Sequence, residues 1–382
     1  KLIGIKVENI KSIEILQNLG FGVEGLGGDH VKVAIPSFRS DVEGSADLIE
    51  EIVRIHGYDK IDPQKLDLEF KKPRVSLFDA IRSNLISDGM VENINWSFCD
   101  AKIAEDFTEI KDELFIANPI SENLNYMRPN LAIGLLQSYK KNYSRGAQDG
   151  SFFEIGRVFD GVEEKLQNNV ICGVFAGKNK GQNHYSDERD FDIFDAKKKI
   201  FDILAMVGIK GGNLILDESN PKKYCHPYKF ANLKLGKNVV ACFSQLHPAI
   251  AKKFDIKKDV YIFEIFVDNL ATKLIENFGS VSKKSFEFND LQSVYRDYAF
   301  VLDRTQKIGD LIKVISGCDK KLIKQVDIFD IYQGDKIDED KQSVALRVQI
   351  QPTEKSLTSQ EIDEISAKVI SEVSSKLSAI LR

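Results

Sequence analysis

The chain has 382 residues, of which 43% are hydrophobic and 29% charged, so the composition indicates a soluble globular protein of two or three domains. With 53 Lys and Arg against 58 Asp and Glu, the net charge of −5 argues against a broadly basic nucleic-acid coat. No apolar run reaches the roughly 18–20 residues that a membrane span needs. The five cysteines are scattered without CxxC spacing, which indicates reduced thiols in a cytoplasmic protein. Because the first residue is Lys1 and not Met, we expect a piece of a longer protein.

Residues 1–62 predict a small α+β module with a net charge of −4, from 7 Lys and Arg against 11 Asp and Glu. The predicted elements, in chain order, are a helix over 8–19, strands over 22–25 and 31–35, and a helix over 45–56. Gly20 and Gly57 end the two helices. The order helix, hairpin, helix is typical of a winged-helix-like arrangement.

Residues 63–288 predict a larger central module. The stretch from Asp62 to Pro73 is polar and marked by prolines, as linkers are. Beyond it, helical and strand patterns alternate: helices over 75–87, 131–143 and 196–207, and strands over 152–159, 170–176, 239–243 and 260–266. This alternation predicts a large mixed sheet flanked by helices.

Residues 289–382 predict a third module with the order strand, helix, strand, strand, helix, strand. The elements cover 296–302, 308–316, 323–332, 343–351, 358–377 and 379–381. Thr358 followed three residues later by Glu361 is a capping-box signature for the long helix. The βαββαβ order is that of a ferredoxin-like domain, so the whole chain predicts an α+β multidomain protein.

Acidic residues cluster on and before the helix over 45–56. Asp47, Glu50 and Glu51 stand at positions i, i+3 and i+4 and therefore share one helix face, while Asp41 lies in the preceding loop and can fold back toward them. Carboxylates of this kind suit a hard cation such as Mg²⁺. The alternative is a solvated acidic face with Glu50 paired to Arg54, and spacing alone favours this alternative.

Other patterns are weak. The run Gly25-Leu26-Gly27-Gly28 joins two predicted strands, which favours a hairpin turn over a phosphate-binding loop. Cys225-His226 and Cys242 with His247 lack the spacing of a zinc site, and the two His-Pro pairs predict strand ends and turns. No nucleophile elbow, HExxH, Walker A or GxGxxG stands in a suitable context, so no catalytic centre is evident.

The acidic motif carries a resemblance to a known family. Pro36–Asp41, leading into Asp47–Ile52 and Gly57-Tyr58, resembles the B-five module of the bacterial phenylalanine–tRNA ligase β subunit. The chain is similar to the C-terminal part of that subunit over almost its whole length. In the family the acidic positions help hold Mg²⁺ at the contact with the α subunit. The resemblance implies a shared Mg²⁺ site at the matching residues, Asp41, Asp47, Glu50 and Glu51.

The other two modules extend the resemblance. The central module resembles the family's class II synthetase-like, non-catalytic module at Asn118–Ser121, Met127–Pro129, Gly134–Leu136, Phe153–Phe159 and Gln245–Pro248. It departs from the family at Asn130, Ile133 and Lys198, where Ser, Pro and Gly are usual. The third module is similar to the ferredoxin-fold anticodon-binding domain at Arg296-Asp297 and Leu381-Arg382, with Gln292 in place of a Pro.

The resemblance implies an (αβ)₂ tetramer that attaches phenylalanine to tRNA(Phe) at the expense of ATP, with ATP bound at the α subunit. The β subunit is implied to scaffold the α subunit without catalytic residues of its own. The sequence agrees, since no G-x-G-x-x-x-R motif is found. We expect the central module to form a large apolar contact with the α subunit, as obligate interfaces do.

A local set of cations is predicted to contact tRNA in the third module, whose net charge is −2 from 14 Lys and Arg against 16 Asp and Glu. The candidates are Lys320, Lys321, Lys324, Arg347 and Lys355. Their alternative role is ordinary solubilisation. Two other functions stay open: a free-standing winged-helix nucleic-acid binder, which the net −4 of residues 1–62 disfavours, and an autonomous degenerate class II-like enzyme.

Overall fold

The chain forms two compact units, Lys1–Ile275 and Glu276–Arg382. The computed structural model describes residues 2–25, 30–63, 76–179, 184, 188–272, 275, 278, 288–334 and 337–382. Most of the predicted linker and the predicted turn at Gly27 and Gly28 lie outside the described residues. Within the described ranges, no helix is long and apolar enough to cross a membrane.

The first module contains the predicted elements in the predicted order. They are α1 (Asn9–Asn18), β1 (Gly22–Gly25), β2 (Val31–Ala34) and α2 (Ser45–His56). The strands pair antiparallel, with Val23 opposite Val33. A small core of Leu16, Phe21 and Val42 holds the helices against the hairpin. This core fixes the loop before α2, which carries part of the acidic cluster; the winged-helix assignment stays a prediction.

The central module is built on a large sheet. Its described elements are α3 (Leu77–Ser87), β3 (Val91–Glu92), β4 (Phe98–Cys99), α4 (Ala101–Ala104), β5 (Tyr126–Met127), α5 (Ala132–Tyr143), β6 (Gly150–Phe159), β7 (Gln167–Ala176), α6 (Ile193–Met206), β8 (Ile215–Asp217), β9 (Cys225–Leu235), β10 (Asn238–Leu246), α7 (Pro248–Lys253) and β11 (Val260–Phe266).

Seven of these strands, as far as the structure describes the chain, form one mixed sheet in the order β3-β6-β7-β11-β10-β9-β8. β3 runs parallel to β6, and the remaining neighbours are antiparallel. Alternate residues of β7, such as Cys172 and Val174, pack with Leu135 and Leu136 of α5 in one apolar core. The mixed sheet is confirmed. Both His-Pro pairs lie at strand ends as predicted, and His247 caps α7.

The second unit has the predicted βαββαβ order. Its elements are β12 (Val294–Asp303), α8 (Ile308–Cys318), β13 (Ile323–Tyr332), β14 (Lys341–Ile350), α9 (Ser359–Leu377) and β15 (Ile380–Leu381). The sheet order is β13-β14-β12-β15, all antiparallel. Thr358 Oγ1 accepts from the Glu361 amide at 3.3 Å, and the Glu361 carboxylate accepts from the Thr358 amide at 2.8 Å. The predicted capping box is therefore confirmed.

The two helices cover one face of this four-stranded sheet. Alternate strand residues such as Phe300, Leu346 and Val348 point into a core that includes Ile315 of α8 and Val369 of α9. Because side chains alternate along a strand, the intervening residues lie on the opposite side. We call this side the open face; its polar and aromatic residues include Tyr295, Asp297, Phe329, Tyr332, Arg347 and Arg382, and the register also places Asp327 and Asp330 of β13 there.

Candidate nucleic-acid interface and acidic helix face

An arginine lies between two of the four predicted metal ligands. Arg39, in the loop before α2, donates from Nε and Nη2 to Asp41 at 2.9 and 2.7 Å, and from Nη2 to Glu51 Oε1 at 2.9 Å. Its guanidinium carbon lies 5.7 Å from the centre of the Phe21 ring. Arg54 donates to the second Glu51 oxygen at 2.6 Å. Asp41 and Glu51 are therefore neutralised by residues of this chain.

The remaining two carboxylates have different surroundings. Asp47 Oδ2 accepts from the backbone amides of Glu43 and Gly44 at 2.9 and 2.8 Å, which satisfies the amino end of α2. Glu50 is exposed. Arg54 pairs with Glu51 and not with Glu50, which corrects the alternative considered from spacing. Glu51 is buried and not on a solvated face, because two guanidinium groups surround it.

As arranged, these side chains do not fit a magnesium ion. Mg²⁺ requires near-octahedral oxygen donors, and here Arg39 occupies the position of the cation between Asp41 and Glu51. Throughout the part of the chain that the structure describes, no group of three or more His, Cys, Asp or Glu side chains is placed to hold a metal. Magnesium binding at Asp41, Asp47, Glu50 and Glu51 stays a prediction, one that requires Arg39 to leave its partners.

The ion pair predicts how acid affects the first module. Arg39 lowers the pKa of Asp41 from 3.8 to about 2, and hydrogen bonds from Arg39 and Arg54 also lower the pKa of Glu51. Because a lowered pKa stabilises the fold above the unfolded value, this contribution is lost as the pH falls toward 2. Arg39→Met should therefore have a lower thermal midpoint than the wild type at about pH 6, and the difference should shrink toward about pH 2.

The matched control is Lys32→Met, which removes an exposed cation of the same module. We expect its midpoint to follow the wild type at each pH. A difference for Arg39→Met that stays constant over the whole pH range would contradict the assigned ion pair.

The open face combines aromatic rings with guanidinium groups. Arg347, in the centre of β14, donates from Nε and Nη2 to Asp297 of β12, both at 2.7 Å, and its guanidinium carbon lies 5.7 Å from the Phe329 ring centre. Arg382 holds the same distance from the Tyr332 ring. Tyr295 and Phe329 are more than half exposed. Such a surface offers stacking and cation contacts to unpaired bases.

The predicted tRNA contacts lie in three separate places. Lys320, Lys321 and Lys324 are exposed where the chain passes from α8 into β13, and Lys324 lines a cleft of about 820 Å³ with Asn289. Arg347 lies on the open face. Lys355 follows β14 and pairs with Glu361 at 2.8 Å.

Sequence reasoning missed the aromatic residues of the open face. Tyr295 stands two residues before Asp297 and therefore shares its face, which strand alternation alone would have predicted. Phe329 stands two residues after Asp327 and shares its face for the same reason. Tyr332 is harder to find, because the register shift between Ile328 and Asp330 in the pairing with β14 turns it to the open face.

A buried arginine lies at the centre of the central-module motifs that resemble the synthetase-like module. Arg128 donates to Glu154 Oε1 at 2.5 Å and to the carbonyl oxygen of Arg157 at 2.9 Å. Asn95 Nδ2 donates to the other Glu154 oxygen at 2.6 Å. Arg128 and Glu154 are both buried. Arg128 is therefore committed to holding β5, β6 and the Asn95 segment together and cannot reach a phosphate.

Comparison with known families gives three matches along the chain. A family model described as "tRNA synthetase B5 domain" matches residues 1–58, and "Phenylalanyl tRNA synthetase beta chain CLM domain" matches residues 65–267. "Ferredoxin-fold anticodon binding domain" matches residues 289–382, the region of the open face. The central match covers more than half of the chain.

Curated relatives agree with these matches. The chain is 38% identical to a phenylalanine–tRNA ligase beta subunit of Rickettsia bellii over 386 residues, which cover 99% of this chain and 43% of the relative. It is 35% identical to that of Rickettsia prowazekii, covering 100% and 47%, and 37% identical to that of Bradyrhizobium diazoefficiens, covering 100% and 48%. The chain therefore spans somewhat under half the length of these relatives.

Proposed function

The chain belongs to the phenylalanyl tRNA synthetase beta chain family and matches the C-terminal part of that subunit, and we propose that it scaffolds the catalytic α subunit and binds tRNA(Phe). It does so while phenylalanine is attached to the tRNA at the expense of ATP, in an (αβ)₂ complex of the cytoplasm. The observation that carries the proposal is the order of the three matched modules together with the open face of the third.

We assign one task to each module. Residues 1–62, of winged-helix-like type, and the class II synthetase-like residues 63–288 contact the α subunit, and residues 289–382 contact the anticodon arm. ATP is bound at the α subunit, so this chain is part of an enzyme without supplying catalytic residues. The burial of Arg128 supports that division. An apolar contact with the α subunit is supported by exposed apolar side chains in the central module, which are Val91, Ile94, Trp96 and Ile120.

The open face is proposed to stack unpaired anticodon bases, with the lysines near β13 contacting phosphates. Stacking on an aromatic side chain is worth about 1–3 kcal/mol per base. With one base on each ring, we therefore expect Tyr295→Ala/Phe329→Ala to weaken binding of an anticodon stem-loop to the full chain about 30-fold or more. The measurement is a fluorescence anisotropy titration of the labelled stem-loop at low salt.

The lysines are tested by the salt dependence of the same titration. We expect the slope of log affinity against log salt to become shallower by about 2 in the triple variant Lys320→Ala/Lys321→Ala/Lys324→Ala. Each phosphate contact releases counterions, and the variant makes fewer of these contacts. The matched control changes three lysines of the helical side, Lys313, Lys368 and Lys376, to Ala. An equal loss in the control triple, or full affinity in the aromatic double variant, would contradict the placement of RNA on the open face.

Assembly with the α subunit tests the scaffold role and the magnesium prediction together. If Mg²⁺ helps to join the subunits at the acidic face, Asp47→Ala/Glu50→Ala should weaken Mg²⁺-dependent assembly about tenfold, as the loss of supporting groups at a metal site typically does. Analytical ultracentrifugation of purified α subunit and this chain, with and without Mg²⁺, measures it.

The control for assembly is Glu364→Ala, which removes an exposed carboxylate of α9. Unchanged assembly and Mg²⁺ dependence in the Asp47/Glu50 variant would refute magnesium binding at the acidic face. Absence of any complex with the wild-type chain would count against the scaffold role itself.

A further inference from the structure

A cavity in the central module has no role in the function proposed above. Its volume is about 460 Å³, within the range of small-molecule sites, and it opens between β6, β7 and the segments around residues 107 and 268. Aromatic side chains of Phe107, Phe159, Tyr224 and Phe266 form its walls. The rings of Phe107 and Tyr224 stack with centres 5.0 Å apart. The walls therefore suit a flat apolar body.

A buried carboxylate lies beneath one wall of the cavity. Glu264 of β11 is 2% exposed, and its Oε1 accepts from Asn130 Nδ2 at 2.8 Å. Its Oε2 accepts from the Tyr224 hydroxyl and from Cys242 Sγ. Three neutral donors from three different elements thus converge on the Glu264 carboxylate. A buried negative charge of this kind requires a cation close to it.

Lys222 supplies that cation and also lines the cavity. Its Nζ lies 3.6 Å from Glu264 Oε2, a long contact, and 4.8 Å from the Phe266 ring centre. Desolvation is the largest single effect and acts against its charge, but the fields of Glu264, Cys242 and Cys225 and the contact with Glu264 together outweigh it and raise the pKa of Lys222. The side chain lines the cavity and is 40% exposed, and its contact with Glu264 is long, so a ligand in the cavity can reach the ammonium group.

The charges around the opening limit what can enter. Asp160 and Asp268 also line the cavity, and they are held by Lys111 Nζ at 2.6 Å and by the Asn169 amide at 2.5 Å. Lys111 and Lys222 give two ammonium groups against the three carboxylates of Asp160 and Asp268 at the rim and of Glu264, so a polyanion such as a nucleoside phosphate would be repelled. A ligand with a single negative charge can satisfy Lys222 without approaching the rim carboxylates.

We propose that this cavity binds a small aromatic monocarboxylate, with the carboxylate on Lys222 and the ring packed against the stacked pair of Phe107 and Tyr224 and against Phe266. Glu264 competes with the ligand for the ammonium group and so sets the affinity. This competition distinguishes a binding site from a purely structural ion pair.

The test uses three probes of one shape, 3-phenylpropionate, 3-phenylpropan-1-ol and 3-phenylpropylamine, titrated into the full chain without α subunit or tRNA. Isothermal titration calorimetry should detect the carboxylate at a dissociation constant of about 1 mM or tighter, and the alcohol and amine at least tenfold more weakly. No binding of the carboxylate, or equal binding of the three probes, overturns the proposal.

Variants separate the site from fold stability. Glu264→Gln keeps the shape, removes the competing charge and should tighten carboxylate binding several-fold. Lys222→Met/Glu264→Gln leaves no unpaired buried charge and should weaken it at least tenfold. Lys223→Met, an exposed neighbour, is the control and should bind as the wild type. Unchanged affinity in both Glu264→Gln and the double variant overturns the proposal. Because neither α subunit nor tRNA is present, the result is independent of the proposed function.

Discussion

The chain by itself is expected to give no phenylalanine-dependent exchange of pyrophosphate into ATP. Activation of an amino acid needs cationic groups fixed on the phosphates, and the loss of a single such group costs about 10²–10³ in rate. The arginine at the centre of the resembling motifs, Arg128, is instead bound to Glu154 and to the Arg157 carbonyl oxygen. We therefore expect exchange at background level, at least about 10³-fold below that of the assembled complex.

The measurement is isotope exchange with the purified chain, with and without added α subunit. Adding the α subunit should raise the rate, which shows that the chain is competent and that the missing groups are supplied in trans. Exchange above background that co-purifies with the chain and is lost in the Arg128→Met/Glu154→Gln variant would identify an autonomous enzyme and refute the proposed division of labour.

Elements specified by local patterns were predicted almost residue by residue. The apolar spacing in α2 and the stop at Gly57 predict Ser45–His56, which is the observed helix. The capping box at Thr358 predicts the start of α9 for the same reason: its hydrogen bonds join residues three apart. In the second unit three of the four strands are ten residues long, so the βαββαβ order follows largely from the patterns alone.

Interactions between distant segments were predicted poorly. Helical spacing places Glu51 with Asp47 and Glu50 on one face, but Arg39, twelve residues upstream of Glu51, draws its carboxylate into the module. Helical i, i+4 spacing cannot predict a contact between residues twelve positions apart. Glu264 collects donors that lie 134, 40 and 22 residues away in the chain, so its network exists only once the large sheet has formed.

Irregularities within strands were the other source of error. β9, an eleven-residue strand, escaped prediction because Pro227, flanked by His226, Tyr228 and Lys229, interrupts the apolar pattern of its first half. On the open face, the register shift after Ile328 places Tyr332 opposite Ser343, whereas alternation from Ile328 alone would turn Tyr332 toward the helices. The candidate RNA-binding residues were therefore sought among Lys and Arg, whose charge is evident from the sequence alone. The aromatic residues were missed.

Removal of Arg128 is expected to be the most destabilising single change in the central module. The Arg128 and Glu154 side chains are only 9% and 4% exposed, so Arg128→Met would leave the Glu154 carboxylate buried with Asn95 as its remaining donor. Breaking a buried pair from one side typically costs about 3–5 kcal/mol in the free energy of unfolding. Urea titration followed by the fluorescence of Trp96 measures it, since this is the single tryptophan and its carbonyl oxygen lies beside Arg128.

A double variant shows whether the cost comes from an unpaired charge. Arg128→Met/Glu154→Gln removes both charges, and we expect it to be more stable than Arg128→Met because no uncompensated carboxylate stays buried. The control is Arg82→Met, whose partners Asp79 and Glu92 lie nearer to solvent and whose loss should cost below about 1 kcal/mol. If Arg128→Met were no less stable than Arg82→Met, the buried pair would not hold the module together, and Arg128 would be free to serve another purpose.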